Sequence, residues 1–271
     1  SSQSRGLGDV YKRQGYNTEG DDEFIKSIPK KPQNQGIGAL VYPDSYDLTK
    51  YMPPIGDQGR SGSCVAWTLS YYSMSMLYNK HFSIADKTAK MALAFDPYYF
   101  YNSRFGNNYS IKQLCESGMT WSEAFNHAEE TGNKRQALPP HDLNCQYGYD
   151  KEEFRETFYN SLGYKIRAAF YLDPEDYTYI DDIKFEIYNE KKPVPIAISY
   201  YGEGLRKAGN NGGYFQPNYT PNERSGHAMT IVGYDDFVNG GSVLVANSWG
   251  TQWGNRGFLW IKYKDLSLIH I

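Results

Sequence analysis

The chain has 271 residues, of which 40% are hydrophobic, and its net charge is −3 at pH 7. This size fits one globular unit of two lobes, and the small negative charge gives no reason to expect nucleic acid or an anionic membrane surface as a partner. No apolar run reaches the roughly 20 residues that a membrane-spanning helix needs. We therefore expect a monomeric globular protein without a membrane segment.

Both ends of the chain carry sequence that we interpret as foreign to the protein. If residues 266–271 are written with the codons CTG TCT CTT ATA CAC ATC, the reverse complement translates as residues 9–14. Two unrelated termini should not be reverse complements of each other, so we interpret residues 1–14 and 266–271 as adaptor-derived. We then expect both native termini to be missing. The compartment stays open, with a slight preference for a secreted or periplasmic location.

In chain order, the first segment is polar and the second predicts a helix. Residues 15–41 are rich in Gly, Gln, Asn and Lys, and we interpret them as a linker or the remnant of a leader. After a loop at 59–63, Cys64 opens a stretch to residue 77 whose apolar residues recur at helical spacing. Cys64 is thereby placed at a helix N-terminus, where unpaired backbone N–H groups favour the thiolate, the nucleophilic form of cysteine.

Capping signals mark further helices before the pattern changes to strands. The Asp-Pro pair at 96–97 is typical of a helix start. The Thr-Trp-Ser-Glu run at 120–123 has the form of a capping box, and Gly132 is a fitting stop for that helix. A helix with isoleucines on one face over 180–187 follows later, and strands begin at residue 194.

Two segments near the C-terminal end carry groups suited to acid–base chemistry. His227 lies in the apolar run 226–234, which predicts a buried strand, and an imidazole can act as base and then as acid near neutral pH. Asn247 follows the apolar run 243–246, and its side-chain carbonyl can accept a hydrogen bond from one imidazole nitrogen. With Cys64, these residues predict a nucleophile, its base and a group that orients the base.

These motifs resemble those of the papain family of cysteine peptidases. Gln58 lies six residues before Cys64, which is the separation at which that family places the glutamine of its oxyanion hole. The Asn-Ser-Trp-Gly run at 247–250 is a very specific family signature. By resemblance, its tryptophan, Trp249, covers the hydrogen bond between asparagine and histidine.

The resemblance also implies a substrate cleft and a fold. The segment 115–122 is similar to the family's cleft strand, whose glycine backbone pairs with bound peptide. The fold implied is α+β and papain-like, over a domain at 42–265, with a helical lobe at about 58–140 and an antiparallel, β-barrel-like lobe at about 141–265 plus 42–57. The residues expected to contact substrate are Ser117, Gly118, Met119, Ala228 and Trp249.

Several features depart from the family pattern and identify the chain as a divergent, bacterial-like relative. Ser61 stands where the family has a half-cystine that matches Cys115, so the loop disulfide is expected to be absent. Cys115 and Cys145 are then the pair left, and the sequence does not say whether they join. Val65 replaces an aromatic residue that packs under the cleft. The spacing from Cys64 to His227 is longer than in the family pattern, and we attribute the difference to a surface insertion at 200–225.

The function implied by the resemblance is hydrolysis of peptide bonds through an acyl-enzyme on Cys64. The expected partners are a polypeptide substrate and a propeptide or inhibitor that the chain has lost, and the chemistry needs no metal or cofactor. Endopeptidase action is favoured. Two alternatives stay open, namely acyl transfer such as peptide ligation on the same triad, and a non-catalytic binding module that retains the fold.

Overall fold

A computed structural model places the chain in two adjoining parts, one helical and one built on an antiparallel sheet. The described residues are 16–17, 20–32, 41–103, 117–133, 135, 164–166, 169–199, 202–218 and 226–268. Cys115 and Cys145 lie outside these ranges, as do residues 1–14. Within them, no helix has the length and apolar character needed to cross a membrane.

The secondary structure follows the order that the sequence predicts, helices first and strands later. The helices are α1 (Asp21–Ser27), α2 (Cys64–Ala66, continuing through Trp67–Met74 and Ser75–His81), α3 (Lys87–Ala92), α4 (Pro97–Ser103), α5 (Trp121–Glu130), α6 (Tyr179–Lys184, continuing through Phe185–Glu190) and α7 (Gly202–Asn210). The strands are β1 (Ser45–Asp47), β2 (Val194–Ser199), β3 (Gly226–Asp235), β4 (Ser242–Ala246) and β5 (Phe258–Lys262).

Helix α2 begins at Cys64, as predicted, and forms the centre of the helical part. Its middle segment, Trp67–Met74, is π-helical, and every residue of that segment is buried. This segment is enclosed because α2 packs against both α4 and β3. Single π-helical turns inside helices are often found beside functional sites.

The predicted capping residues start and stop the neighbouring helices. Asp96 Oδ1 accepts hydrogen bonds from the backbone N–H groups of residues 98 and 99 at 2.9 and 3.0 Å, which starts α4. Thr120 Oγ1 accepts from Glu123 N at 3.0 Å, and Glu123 Oε2 accepts from Thr120 N at 2.9 Å, so the capping box of α5 is complete. Gly132 follows the helix with a φ of 78°, a conformation that glycine adopts at little cost.

Strand β3 is the centre of the sheet. Strands β1 and β2 pair with the two ends of one edge of β3, β4 pairs with its other edge, and β5 pairs with β4, all antiparallel. Residues 226–234 of β3 are all buried, because the strand has neighbours on both edges and helices against it. The α+β class is confirmed, but the described strands form an open sheet and not a closed barrel.

The described part of the segment 200–225, residues 202–218, differs from the surface insertion that the composition predicts. Helix α7 lies within it, and Leu205, Ala208 and Phe215 are buried in the core shared by α2 and the sheet. The many Gly, Asn and Tyr residues hide the amphipathic pattern of this short helix. Leu266, which we interpret as adaptor-derived, is also buried in that core. An apolar leucine side chain can fill this place even if the residue is foreign to the native protein.

Candidate active site

Cys64 is fully buried at the first turn of α2 and forms no disulfide. Its side chain belongs to a buried cluster that also contains Val65, Met119 and Ala228. The first turn of α2 contacts β3, and Ala228 is the residue directly after His227. The structure therefore brings the predicted nucleophile against the start of the strand that carries the predicted base.

The loop before Cys64 is held by hydrogen bonds where the resemblance would place a disulfide. Ser61 Oγ donates to Gln58 O at 2.9 Å, and Gln58 Nε2 donates to Ser61 O at 2.9 Å. The hydroxyl groups of Ser61 and Ser63 are 2.5 Å apart. These buried bonds tie both ends of the loop together, so a half-cystine is not required at position 61 to shape it.

His227 and Asn247 form a short buried hydrogen bond. His227 Nε2 lies 2.7 Å from Asn247 Oδ1. The same Oδ1 accepts from Ser248 N at 2.8 Å, and a backbone N–H can only donate, so this atom of the amide must be the oxygen. An amide oxygen only accepts, which places a proton on Nε2 and leaves Nδ1 as the basic nitrogen of the neutral ring.

The backbone of Asn247 is fixed from two sides. Asn247 N donates to Gly257 O at 2.9 Å, and Tyr72 OH of α2 donates to Asn247 O at 2.8 Å. Burial raises the pKa of Tyr72 well above its usual value, so the hydroxyl keeps the proton that it donates. The Tyr72 hydroxyl oxygen in turn accepts from Gly56 N at 3.2 Å. The helical part therefore positions the asparagine on the sheet.

Trp249 covers the pair of His227 and Asn247, as the resemblance implies. Its ring lies 4.3 Å from the imidazole, centroid to centroid, at an interplanar angle of 30°. Trp249 is itself buried and meets the ring of Trp253 nearly at a right angle. A hydrogen bond that is shielded from water in this way is electrostatically stronger than an exposed one.

Gln58 connects the loop before the nucleophile with the turn after Asn247. Ser248 Oγ donates to Gln58 Oε1 at 2.6 Å, and Gln58 N donates to Ser248 O at 2.8 Å. Because Ser61 O can only accept, the atom bonded to it is the amide nitrogen, and that nitrogen carries two N–H groups. The Gln58 side chain is fully buried, and these hydrogen bonds hold it in one orientation.

The predicted cleft strand is occupied by a residue near the start of the described chain. Tyr16 and Gly226 exchange two backbone hydrogen bonds of 3.0 Å, and Asn17 N donates to Met119 O at 3.2 Å. Tyr16 is therefore paired with the segment of Met119 on one side and with the residue before His227 on the other. We refer to residues 16–17 and 20–32 as the strap. The polar composition of this region gives no signal for such a contact.

The strap is anchored by Asp21 at the start of α1. Its carboxylate accepts from Trp121 N at 2.6 Å and from Ser122 N at 3.0 Å, so it caps α5, and α1 packs against that helix. Burial raises the pKa of Asp21, while its hydrogen bonds with these backbone N–H groups act in the opposite direction. Further along, Lys31 N donates to Tyr171 O at 3.0 Å. The strap is therefore a packed part of the structure.

The remaining predicted substrate contacts lie on both sides of Tyr16. Gly118 has a φ of 62°, which a residue with a side chain rarely adopts. Met119 and Ala228 are buried in the same cluster as Tyr16. Ser117 lies further out, exposed, with Oγ 3.4 Å from Tyr101 OH.

Comparison with known proteins identifies the class. The chain belongs to the papain family of cysteine proteases, whose family profile matches residues 42–269. A cathepsin L-like peptidase of Aedes aegypti is 28% identical over 221 residues, which cover 76% of this chain and 54% of that protein. The chain thus spans about half the length of this relative.

Solved structures agree on the fold. Xylellain, a cysteine protease from Xylella fastidiosa, has a TM-score of 0.64 at 22% identity, covering 95% of this chain and 93% of that one. The digestive procathepsin L2 proteinase of Tenebrio molitor has a TM-score of 0.66 at 21% identity, covering 95% of this chain and 75% of that one. The family resemblance inferred from the motifs is confirmed.

Proposed function

We propose that this protein hydrolyses peptide bonds through a thioester acyl-enzyme on Cys64. The observation that carries the proposal is the 2.7 Å bond from His227 to Asn247, which assigns the basic nitrogen of the imidazole and is shielded by Trp249. The packing of α2 against β3 supports the pairing of Cys64 with His227.

The chemical steps follow from these assignments. His227 Nδ1 takes the thiol proton, and the Cys64 sulfur attacks the peptide carbonyl carbon. The negative oxygen that forms is bound by the Cys64 N–H and the side-chain amide of Gln58, and preorganised donors of this kind contribute about 3 kcal/mol to the transition state. The imidazolium then protonates the leaving amine. In the second half, His227 activates a water that hydrolyses the thioester.

The substrate backbone is proposed to lie where Tyr16 lies now. Tyr16 pairs through main-chain atoms with Gly226, and Asn17 pairs with Met119. A bound peptide can use the same backbone groups in the extended conformation, since strand-like pairing does not depend on side chains. Ala228, Gly118 and Trp249 then border the reacting bond.

The strap is accordingly proposed to keep the enzyme latent, as a propeptide does. It uses backbone groups of the cleft on both sides, so that a substrate cannot pair with them while Tyr16 is bound. Proforms are among the solved structures of similar fold, including procathepsin B S9 of Trypanosoma congolense. Activity then requires the strap to be displaced or cleaved.

The test is labelling of the thiol with a peptidyl vinyl sulfone. We expect the parent chain to be labelled slowly and Tyr16→Pro to be labelled faster, because proline lacks the N–H that donates to Gly226 O. Tyr16→Phe keeps that N–H and the ring and loses only the hydroxyl that hydrogen-bonds to Asp21, so it measures the side-chain part of the strap contact.

Cys64→Ala and His227→Ala, each in the Tyr16→Pro background, should abolish labelling, and labelling that persists in either would refute the proposed nucleophile and base. Equal rates in Tyr16→Pro and the parent chain would refute the latent state and leave the chemistry standing.

A further inference from the structure

Ser61, which stands where the family resemblance implies a half-cystine, is bonded directly to the proposed oxyanion donor. It is 2% exposed. Its hydroxyl donates to Gln58 O at 2.9 Å, and its backbone N–H donates to the same oxygen at 3.3 Å. In the other direction, Gln58 Nε2 donates to Ser61 O at 2.9 Å. The backbone and the side chain of Gln58 are therefore both fixed on this one residue.

The direction of the hydrogen bonds around the Ser61 hydroxyl can be assigned. This hydroxyl has one proton, and Gln58 O can only accept, so the proton lies in the bond to Gln58. The 2.5 Å contact between the hydroxyl oxygens of Ser61 and Ser63 must then use the proton of Ser63. The result is a chain of donors that runs from Ser63 through Ser61 to Gln58. Each bond of such a chain polarises and strengthens the next.

This chain connects the two groups that are proposed to bind the oxyanion. Ser63 directly precedes Cys64, and Ser63 O accepts from Trp67 N at 3.0 Å, which fixes Ser63 to the first turn of α2. At the other end, Ser61 O holds the amide nitrogen of Gln58. Two donors can stabilise one oxygen only at the right separation, and a misplacement of about 1 Å can cost about 10²-fold in rate. The place of Ser61 sets that separation.

The oxygen end of the Gln58 amide is held from the opposite side. Ser248 Oγ donates to Gln58 Oε1 at 2.6 Å. A bond at the oxygen alone would let the amide nitrogen swing about it, and the bond to Ser61 O opposes that motion. The aim of the amide nitrogen therefore depends on where the loop places Ser61.

We propose that Ser61 is a positioning residue of the oxyanion hole, whose hydroxyl holds the loop so that the Gln58 amide nitrogen points at the oxygen formed on the substrate. This inference rests on the proposed function, because Ser61 acts through the oxyanion donor Gln58. Ser61 itself does not touch the substrate.

Two small reagents separate oxyanion binding from thiolate formation. p-Nitrophenyl acetate acylates Cys64: the carbon–sulfur bond forms, a tetrahedral oxyanion collapses, and p-nitrophenol leaves with the thiol proton. Iodoacetamide alkylates the same sulfur by displacing iodide and forms no oxyanion. The ratio of the two second-order rate constants therefore reports the oxyanion hole, while changes in thiolate formation cancel.

Both rates are measured on the full chain in the Tyr16→Pro background. The rate of the same variant carrying Cys64→Ala is subtracted, and mass spectrometry locates the alkylated residue. We expect Ser61→Ala to lower the ratio about three- to tenfold, as loss of one hydrogen bond does. Gln58→Ala should lower it at least about tenfold. An unchanged ratio in folded Ser61→Ala overturns the proposal.

Ser242→Ala is the matched control. It removes another fully buried serine hydroxyl, which donates to Val238 O at 2.8 Å, at the end of β4 away from Asn247. Its ratio should stay at the parent value, although thermal unfolding should show a loss of stability similar to that of Ser61→Ala. A fall in the ratio equal to that of Ser61→Ala would assign the effect to general destabilisation and overturn the proposal.

The double variant tests whether Ser61 acts through Gln58. Adding Ser61→Ala to Gln58→Ala should change the ratio less than about twofold, because the donor that Ser61 positions is already absent. A further loss of about three- to tenfold would show independent effects and overturn the assigned route. If Gln58→Ala itself leaves the ratio unchanged, the proposed oxyanion donor is wrong and the role of Ser61 is lost with it. If only Ser61→Ala leaves it unchanged, the proposed chemistry stands without this role.

Ser61→Cys keeps the test decisive if the alanine variant does not fold. A thiol fills the space of the hydroxyl but is a weak hydrogen-bond donor. In protein reduced beforehand, the ratio should fall as in Ser61→Ala, and a ratio equal to that of the parent overturns the proposal.

Discussion

Replacing Asn247 by alanine separates the structural and chemical effects of the asparagine side chain. Its Oδ1 accepts from His227 Nε2 at 2.7 Å and from Ser248 N at 2.8 Å, and both donors are buried beneath Trp249. Asn247→Ala therefore leaves two buried donors without an acceptor. At about 1 to 3 kcal/mol each, the free energy of unfolding should fall by about 2 to 6 kcal/mol.

The chemical effect is on the orientation and tautomer of the imidazole. As His227 becomes an imidazolium in the transition state, its Nε2–H donates to Asn247 Oδ1. A hydrogen bond that involves a charged group is worth about 1.5 to 3 kcal/mol. Its loss should lower the second-order rate of Cys64 labelling about 10- to 150-fold. The rates are compared in the Tyr16→Pro background, so that strap release does not limit them.

Asn247→Asp is the matched control, because a carboxylate offers oxygens to both donors. It should recover most of the lost stability in thermal unfolding. If Asn247→Ala is folded and is labelled within about threefold of its parent, the orienting role is refuted. If Asn247→Asp unfolds as easily as Asn247→Ala, the stability argument from the two buried donors is wrong.

Three further predictions concern Gln58, Trp249 and Asp21. Gln58→Ala should lower kcat/KM about 10²- to 10³-fold through loss of an oxyanion donor, with the largest effect on kcat, and an unchanged kcat would contradict that role. Trp249→Ala should cost about 3 to 5 kcal/mol of stability as a buried aromatic, measured by urea unfolding; a loss under about 1 kcal/mol would refute its place in the core. Because burial raises the pKa of Asp21, the folded protein favours the protonated carboxyl more than the unfolded chain does. The stability gained from this preference should be complete below pH ~3.9, the pKa of an exposed Asp, and should be lost as the pH rises through the pKa of Asp21 in the folded protein. The Tm of Asp21→Asn should therefore rise relative to the parent as the pH rises above about 4, and a constant difference would refute this sign.

The parts of the site that lie within single motifs could be predicted from the sequence. Cys64 at a helix start, His227 on a buried strand and the Trp249 cover depend on short-range patterns, and the structure places each as expected. Caps such as Thr120 with Glu123 are equally local. Local chemistry of this kind is encoded within a few residues of its site.

The parts that depend on distant contacts could not be predicted. Helix α1 is stabilised by capping α5 through Asp21, 100 residues away from Trp121, and nothing within residues 15–41 reveals that partner. Helix α7 is similar, since Leu205 gains its role from burial against a core built elsewhere. Whether the sheet closes is also decided by strand pairing over the whole chain, and composition alone does not determine it.

The strap meets the cleft mainly through its own backbone, and this sets which of its positions are free to drift during evolution. Asn17 pairs with Met119 through a main-chain group, so replacements there can preserve the pairing as long as the N–H remains. Tyr16 is constrained more, because its side chain is buried and its ring packs against Trp121. Asp21 is different, because a side-chain carboxylate caps α5. Gly226 is constrained as well, since an added Cβ would lie 2.5 Å from the Tyr16 ring. Among descendants of this chain, we expect substitutions to accumulate at Asn17 while Asp21 and Gly226 stay fixed together or are lost together.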